Sequence, residues 1–192
     1  MTSSTARRQT VHDSGQRVGD VVAEWVDRRP NVVALRTVAA AGIEDWTYQR
    51  LWDRVCRIRD DAFRDLPSGA RIPMVMPGGA DYVAGLFAAL AARLVPVPVY
   101  LPSTHGTERF LARAQHILRD CEPSAVYACG ELVEVIERDP VLGALAIRTP
   151  DTAVDDSEWR TGSGPADDGC QEHVAFLQYS SGSTGKPKGV VN

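Results

Sequence analysis

Long apolar segments are missing from this sequence. The longest apolar run, residues 82–92, has about half of the ~20 residues that a membrane-spanning helix needs. Residues 1–15 are polar and contain no apolar stretch of the kind found in secretory signal peptides. These two absences predict a soluble, cytoplasmic protein without a membrane span.

Lysine is nearly absent. Of the 21 basic residues only Lys186 and Lys188 are lysines, and the others are arginines. The net charge is −4, so the chain lacks the basic excess that attracts proteins to nucleic acids. The sequence therefore argues against a nucleic-acid partner, and the two lysines stand out because they fall in one short segment.

Paired cysteines are missing as well. Cys56, Cys121, Cys129 and Cys170 form no CxxC pair and have no histidine at zinc-ligand spacing. Scattered thiols in a chain of this size are typical of reduced, structural cysteines in a cytosolic protein. We therefore expect no metal site built from these residues.

The sequence does contain clear helical and strand periods. Apolar residues at helical spacing predict a first helix from Val18 to Val26, and Pro30 stops the pattern. Two short strands, residues 31–38 and 44–47, are predicted to follow across a turn that contains glycine. Thr47 is placed to cap the helix that comes next.

From residue 72 onward, strands and helices alternate. The predicted order is strand 72–76, helix 82–94, strand 95–101, helix 110–118, strand 125–128, helix 131–136 and strand 144–148. Such alternation predicts an α/β fold with a largely parallel sheet and covering helices. Pro96 and Pro98 each remove a ladder donor, so their strand is expected to be irregular or at an edge of the sheet.

Two segments fall outside this alternation. Residues 1–16 are polar and are predicted to be a disordered tail. Asp151–Glu172 is acidic and has little periodicity, which predicts a solvated surface loop. Residues 17–192 are expected to form one domain portion, in which an apolar strand, residues 174–179, leads into a glycine-rich segment.

That segment, residues 180–189, has the composition of a phosphate-binding loop. It holds three glycines, four hydroxyl side chains and two lysines. Glycines let backbone N–H groups turn toward an anion and approach it closely. Hydroxyls add donors, and lysine adds a compact positive charge for phosphate oxygens. The combination predicts binding of a polyphosphate.

The spacing excludes two common nucleotide motifs. The Walker pattern requires Gly-Lys followed by Ser or Thr, but Pro187 follows Lys186 here. There is also no GxGxxG, so a dinucleotide-binding fold has no support. A flexible Ser/Gly linker is the remaining alternative, and it requires neither Pro-Lys-Gly nor an apolar strand in front.

The twelve residues from Leu177 to Lys188 resemble the signature of the acyl-adenylate-forming superfamily, which includes acyl-CoA synthetases, fatty acyl-AMP ligases and nonribosomal adenylation domains. Trp46-Thr47-Tyr48 resembles this family's early strand-to-helix junction. Residues 77–102 resemble its segment beside the acyl pocket, with one departure. Arg93 stands where the family usually has Gly, and it would cost about 1 kcal/mol if the left-handed helix end is kept.

Within this superfamily the sequence points in two directions. Phe176–Thr184, and Ile117–Pro123 running into a strand, look most like the fatty acyl-AMP ligases. Gly185–Gly189 is closer to the CoA ligases. The balance favours the acyl-AMP ligases.

The resemblance implies an enzyme that uses ATP and Mg²⁺ to convert a carboxylic acid into an acyl-adenylate, with release of pyrophosphate. The acid is expected to be a fatty acid. CoA or an acyl carrier protein would be the acceptor. The loop would hold the β- and γ-phosphates and stabilise the leaving pyrophosphate. The implied phosphate contacts are Ser180, Ser181, Gly182, Ser183, Thr184 and Lys188.

No catalytic residue is assigned, because the family's adenine, ribose and catalytic-lysine positions lie beyond Asn192. The resemblance therefore implies the N-terminal part of the large domain of such an enzyme, and the alternative is a non-catalytic remnant that acts as a binding or interaction module. We expect the 192 residues alone to form no acyl-adenylate. We also expect them to be marginally stable, since the strand at residues 174–179 would leave an open edge.

Overall fold

A four-stranded parallel sheet lies at the centre of the structure. The computed structural model describes residues 18–39, 42–99, 107–140, 142–150, 174–180 and 188–191. The elements in chain order are α1 (Val18–Arg28), β1 (Val33–Ala39), β2 (Gly42–Thr47), α2 (Tyr48–Ala62), β3 (Arg71–Val75), α3 (Ala80–Ala91), β4 (Val95–Pro98), α4 (Thr107–Cys121), β5 (Val126–Ala128), α5 (Glu131–Glu137), β6 (Ile147–Arg148), β7 (Leu177–Ser180) and β8 (Lys188–Val191).

The first part of the chain folds as predicted. Helix α1 is followed by β1 and β2, which pair antiparallel. The Arg50 N–H donates to the Thr47 hydroxyl oxygen at 3.2 Å, which confirms Thr47 as the N-cap of α2. This bond satisfies one of the free N–H groups at the start of the helix.

The central sheet has the order β4-β3-β5-β6, and all its described pairs are parallel. The predicted α/β fold with a largely parallel sheet is confirmed. The two antiparallel pairs, β1 with β2 and β7 with β8, form separate two-stranded sheets. Strands β3 and β5 occupy the middle of the order, so each is bordered on both sides.

Strand β4 lies at the edge of this sheet, where Pro96 and Pro98 predicted it. Val95 and Val99 donate their N–H groups to Ala70 and Met74 at 2.8 and 3.2 Å, which directs the alternate backbone nitrogens toward the outer edge. The two prolines occupy those outward positions and supply no donor there. Strand β7 packs beside β4 without joining its hydrogen-bonded sheet.

Both faces of the sheet are covered, because alternate residues of the inner strands enter different cores. In β3, Ile72 and Met74 pack on one face with α2 and α3, whereas Val75 packs on the other with α4. In β5, Tyr127 enters the first core, and Val126 enters the second. The period of two along a strand produces this division.

Several predicted bounds differ from the observed ones. Helix α3 runs from Ala80 to Ala91 and not over residues 82–94, because Gly79 precedes its first turn and a left-handed residue follows its last. Strand β6 is limited to Ile147–Arg148. The tail at residues 1–16 and the acidic segment at residues 151–172 lie outside the described residues.

The end of α3 keeps a left-handed geometry around Arg93, whose φ is 59°. The Arg93 N–H donates to Leu90 at 3.1 Å, and the Leu94 N–H donates to Ala89 at 2.8 Å. These two bonds are those of a Schellman motif, with Arg93 at the position that glycine usually occupies. Arg93, which stands where the family usually has Gly, therefore has a strained backbone conformation.

The described helices contain no segment that is long and apolar enough to span a membrane. Three of the four cysteines are described, and all three are free thiols, with Cys56 and Cys121 buried and Cys129 partly buried.

Replacement of Arg93 by glycine should stabilise the chain. Glycine removes the cost of a Cβ in the left-handed region, so Arg93→Gly should raise the free energy of unfolding by about 1 kcal/mol. Urea unfolding measures this change. The control is Ala92→Gly at φ −81°, which should lower stability because it only adds freedom to the unfolded chain. A destabilised Arg93→Gly variant would contradict the strain argument.

Replacement of Gly85 by alanine should destabilise the chain, although Gly85 lies in the middle of α3, where alanine is normally preferred. Helix propensity alone would favour alanine by about 1 kcal/mol. However, an added Cβ would lie 2.4 Å from Cε1 of Tyr127, whose ring is fully buried against Phe63. Overpacking costs about 1–3 kcal/mol, so we expect a net loss in urea unfolding. Gly78→Ala, which meets nothing within 4 Å, is the matched control and should be near neutral.

Candidate phosphate-binding site

The structure describes the two ends of the glycine-rich segment and places them opposite each other. Ser180 is the last residue of β7 and Lys188 the first of β8, and the two are register partners in an antiparallel pair. Ser181, Gly182, Ser183 and Thr184 fall in residues 181–187, outside the described residues. Of the six predicted contacts, the structure thus brings together Ser180 and Lys188 through their backbones.

The segment that lies between strands is shorter than the sequence predicted. Residues 180–189 were all expected to be loop, but Ser180, Lys188 and Gly189 belong to strands. The reason is the pairing of β8 with β7, from Ser180↔Lys188 to Leu177↔Val191. Residues 181–187 therefore connect two paired residues, Ser180 and Lys188, whose Cα atoms lie within about 5.5 Å of each other.

Tyr179, the residue before Ser180, anchors the end of β7. It is 8% exposed, and its hydroxyl donates to Oδ2 of Asp120 at 2.5 Å. Burial, and then the hydrogen bond to Asp120, raise the pKa of Tyr179 well above its usual range. The phenol thus remains a protonated donor at neutral pH.

Gly189, the residue after Lys188, lies against the ring of Tyr179. The two are register partners, and a Cβ added to Gly189 would lie 3.2 Å from Cζ and 3.3 Å from the hydroxyl oxygen of Tyr179. These distances are shorter than ordinary van der Waals contact, so a side chain at Gly189 would press on the phenol. The absence of a side chain at this position lets the phenol cross the neighbouring strand.

The end of α4, where Asp120 lies, is attached to the central sheet. Ile117, Leu118 and Cys121 are buried, and Arg71 Nη1 donates to the Cys121 carbonyl oxygen at 2.9 Å. Arg71 begins β3, so this bond joins the last residue of the helix to an inner strand. Burial raises the pKa of the Cys121 thiol to about 11, which keeps it neutral.

The contact between Tyr179 and Asp120 was not predicted from the sequence. The two residues are 59 positions apart, and neither helical nor strand periodicity relates them. Asp120 is an exposed position near the end of an amphipathic helix, and the resemblance of residues 117–123 to fatty acyl-AMP ligases indicates no partner for its carboxylate. Tyr179 could be recognised as an inward residue of an apolar strand, but its partner could not.

Among the residues that the structure describes, no cluster of three or more His, Cys, Asp or Glu is placed to hold a metal ion. A metal such as Mg²⁺ binds through few protein ligands when it accompanies a nucleotide, because phosphate oxygens and water complete its shell. The hydroxyls and phosphate contacts predicted for residues 180–188 suit that mode of binding.

A protein-family model described as AMP-binding enzyme matches residues 22–192. The long-chain-fatty-acid–AMP ligase FadD23 of Mycobacterium tuberculosis is 31% identical over 152 residues, or 77% of this chain and 25% of that protein. The putative fatty-acid–CoA ligase fadD25 of the same species is 27% identical over 180 residues, or 89% of this chain and 30% of that protein. The chain thus spans less than a third of the length of these relatives.

The structure is also similar to the crystal structure of the fatty acyl-adenylate ligase from L. pneumophila in complex with acyl adenylate and pyrophosphate. The TM-score is 0.71 at 24% identity, over 91% of this chain and 30% of that one. This similarity confirms the predicted fold, the N-terminal part of the large domain of an adenylate-forming enzyme.

The stability of the chain should depend on Tyr179 in a pH-dependent way. The pKa of Tyr179 is raised in the folded chain, so its phenol contributes stability below about pH 10. Above that pH the phenol ionises in the unfolded chain but not in the folded one, and this contribution to the free energy of unfolding is lost. Tyr179→Phe should cost about 1.5 kcal/mol at pH 8. By pH 11 the difference from the unmodified chain should narrow by roughly 1.4 kcal/mol, measured by urea unfolding at each pH. A difference that stays constant from pH 8 to pH 11 would show that the phenol is not held protonated.

Proposed function

The chain belongs to the AMP-binding enzyme family, and on that premise we propose that it supplies the N-terminal portion of an ATP-dependent acyl ligase. The reaction is the activation of a carboxylic acid as an acyl-adenylate with release of pyrophosphate. The match of the family model to residues 22–192 supports one domain portion over residues 17–192.

The observation that carries this proposal is that the strands on either side of the phosphate-loop sequence, β7 and β8, pair with each other. Ser180 and Lys188 are register partners, so the residues between them leave and re-enter the hairpin at one place. Gly182, Ser183 and Thr184 lie within that segment of the sequence. Backbone and hydroxyl donors in a segment that connects two paired strand residues would suit the oxygens of a polyphosphate.

The role proposed for the loop is to hold the β- and γ-phosphates of ATP. As the acyl carboxylate attacks the α-phosphorus, negative charge accumulates on the departing pyrophosphate. Donors from Ser180, Ser181, Gly182, Ser183 and Thr184, with the charge of Lys188, would stabilise that group. Mg²⁺ would accompany the nucleotide and neutralise further phosphate charge.

A fatty acid is the proposed acyl substrate. Support comes from the 31% identical relative, which is a long-chain-fatty-acid–AMP ligase, and from the features of residues 117–123 and 176–184 that resemble such enzymes. The relative described as a putative fatty-acid–CoA ligase covers more of the chain at lower identity. We therefore propose two alternative acceptors of the acyl group, CoA and a carrier protein.

The two lysines provide a direct test of how the phosphates lie along the loop. Lys188 matches the closing basic position of the family signature, whereas Lys186 matches a variable one. A charge-assisted contact is worth about 1.5–3 kcal/mol, so Lys188→Ala should weaken binding of Mg-ATP by roughly ten- to a hundred-fold in calorimetric titration of the chain.

Lys186→Ala is the matched control, since it removes the same charge two residues away, and its effect should be far smaller. If Lys186→Ala weakened binding more than Lys188→Ala, the proposed placement of the phosphates would be wrong. If neither the unmodified chain nor any variant bound Mg-ATP, the proposed function of the loop would fail.

A further inference from the structure

Asp120, a residue of α4, accepts a hydrogen bond from Tyr179, which directly precedes the first residue of the proposed loop. We propose that Asp120 is a positioning residue for the phosphate-binding loop and that it acts through Tyr179. The inference rests on the proposed function, because it assigns a role in binding the same polyphosphate. It adds a residue that lies far from the loop in sequence and outside the family signature.

The first step is the direct contact at one end of the loop. The Tyr179 hydroxyl donates to Asp120 Oδ2 at 2.5 Å, and Tyr179 is nearly buried. Ser180 follows directly and is the last residue of β7. A phenol fixed by packing and by a hydrogen bond to a charged acceptor therefore limits the movement of the backbone from which the loop departs.

The second step extends this restraint to the other end. The ring of Tyr179 lies over Gly189, whose added Cβ would be 3.2 Å from the ring carbon Cζ. Gly189 follows Lys188, the residue at which the loop re-enters the hairpin. The side chain of Tyr179, which precedes one loop terminus, thus lies against Gly189, which follows the other terminus.

The third step is the rigidity of the acceptor. Asp120 lies between Leu118 and Cys121, which are both buried, and Arg71 of β3 donates to the carbonyl oxygen of Cys121 at 2.9 Å. The carboxylate is therefore placed relative to the central sheet and not only relative to the hairpin. Through Tyr179, Asp120 thus connects the end of β7 to helix α4, which is itself attached to β3.

The direction in which polyphosphate affinity changes when Asp120 is removed distinguishes a positioning role from simple charge repulsion. A carboxylate near a polyphosphate site repels the ligand, so its removal should by charge alone tighten binding. Loss of a positioning contact should instead weaken binding, because the loop must then be ordered at the expense of the binding free energy. The two mechanisms predict opposite changes for Asp120→Ala.

The test is a titration of the full ¹⁵N-glycine-labelled chain with sodium pyrophosphate, followed through the amide signals of Gly182 and Gly185. We expect Asp120→Ala and Tyr179→Phe each to raise the dissociation constant by about ten-fold, which corresponds to about 1.4 kcal/mol. The double variant should be no worse than either single one, because both remove the same contact. Asp120→Asn keeps an acceptor and should restore part of the affinity.

Tyr127→Phe is the matched control, because it removes a buried tyrosine hydroxyl for which the described residues offer no partner. It should leave pyrophosphate binding unchanged. Amide hydrogen exchange in β3 and β5 should be the same in all variants, which shows that the central sheet is intact. Tyr179→Phe retains the ring and Asp120→Asn the shape, so both are expected to fold.

The inference is overturned if Asp120→Ala and Tyr179→Phe bind pyrophosphate as tightly as the unmodified chain, or more tightly. Additive effects in the double variant would also contradict it, since they would mean that the two residues act separately. Absence of pyrophosphate binding by the unmodified chain is a different result. It would contradict the proposed function itself and remove the basis for a positioning role.

Discussion

The inner strands of the central sheet fill two hydrophobic cores at once, one on each face of the sheet. Ile72 and Met74 of β3 face α2 and α3, whereas Val75 faces α4. Tyr127 and Val126 divide β5 in the same way. Because both faces are buried, the register of these strands is strongly specified, since a shift by one residue would exchange the two faces.

The burial of both faces also places the β7–β8 hairpin. Helix α4 covers the second core, and its buried residues fix the position of Asp120 at its end. Strand β7 contributes Leu177 and Tyr179 to that core, although it is not hydrogen-bonded into the sheet. Side-chain packing and the bond between the Tyr179 phenol and the Asp120 carboxylate therefore attach the described part of the hairpin.

Much of the fold could be predicted from the sequence because its determinants are local. Thr47 as a helix cap and Pro96 and Pro98 as marks of an edge strand follow from the chemistry of single residues. The left-handed position at Arg93 was indicated only by the resemblance to a family that usually has Gly there, because arginine itself disfavours that conformation. The pairing of β8 with β7 could not be predicted, because Gly189, Val190 and Val191 form too short a pattern to indicate a strand. The contact of Tyr179 with Asp120 is determined by tertiary packing alone, so no periodicity could reveal it.

On the function proposed above, the segment between β7 and β8 recognises the polyphosphate of a nucleotide and not its nucleoside. Competition among Mg-ATP, pyrophosphate and AMP for the full chain, measured by calorimetry, tests this claim most directly. We expect pyrophosphate to displace Mg-ATP, whereas AMP, which lacks the β- and γ-phosphates, should not displace it. Displacement of Mg-ATP by AMP as effectively as by pyrophosphate would contradict it.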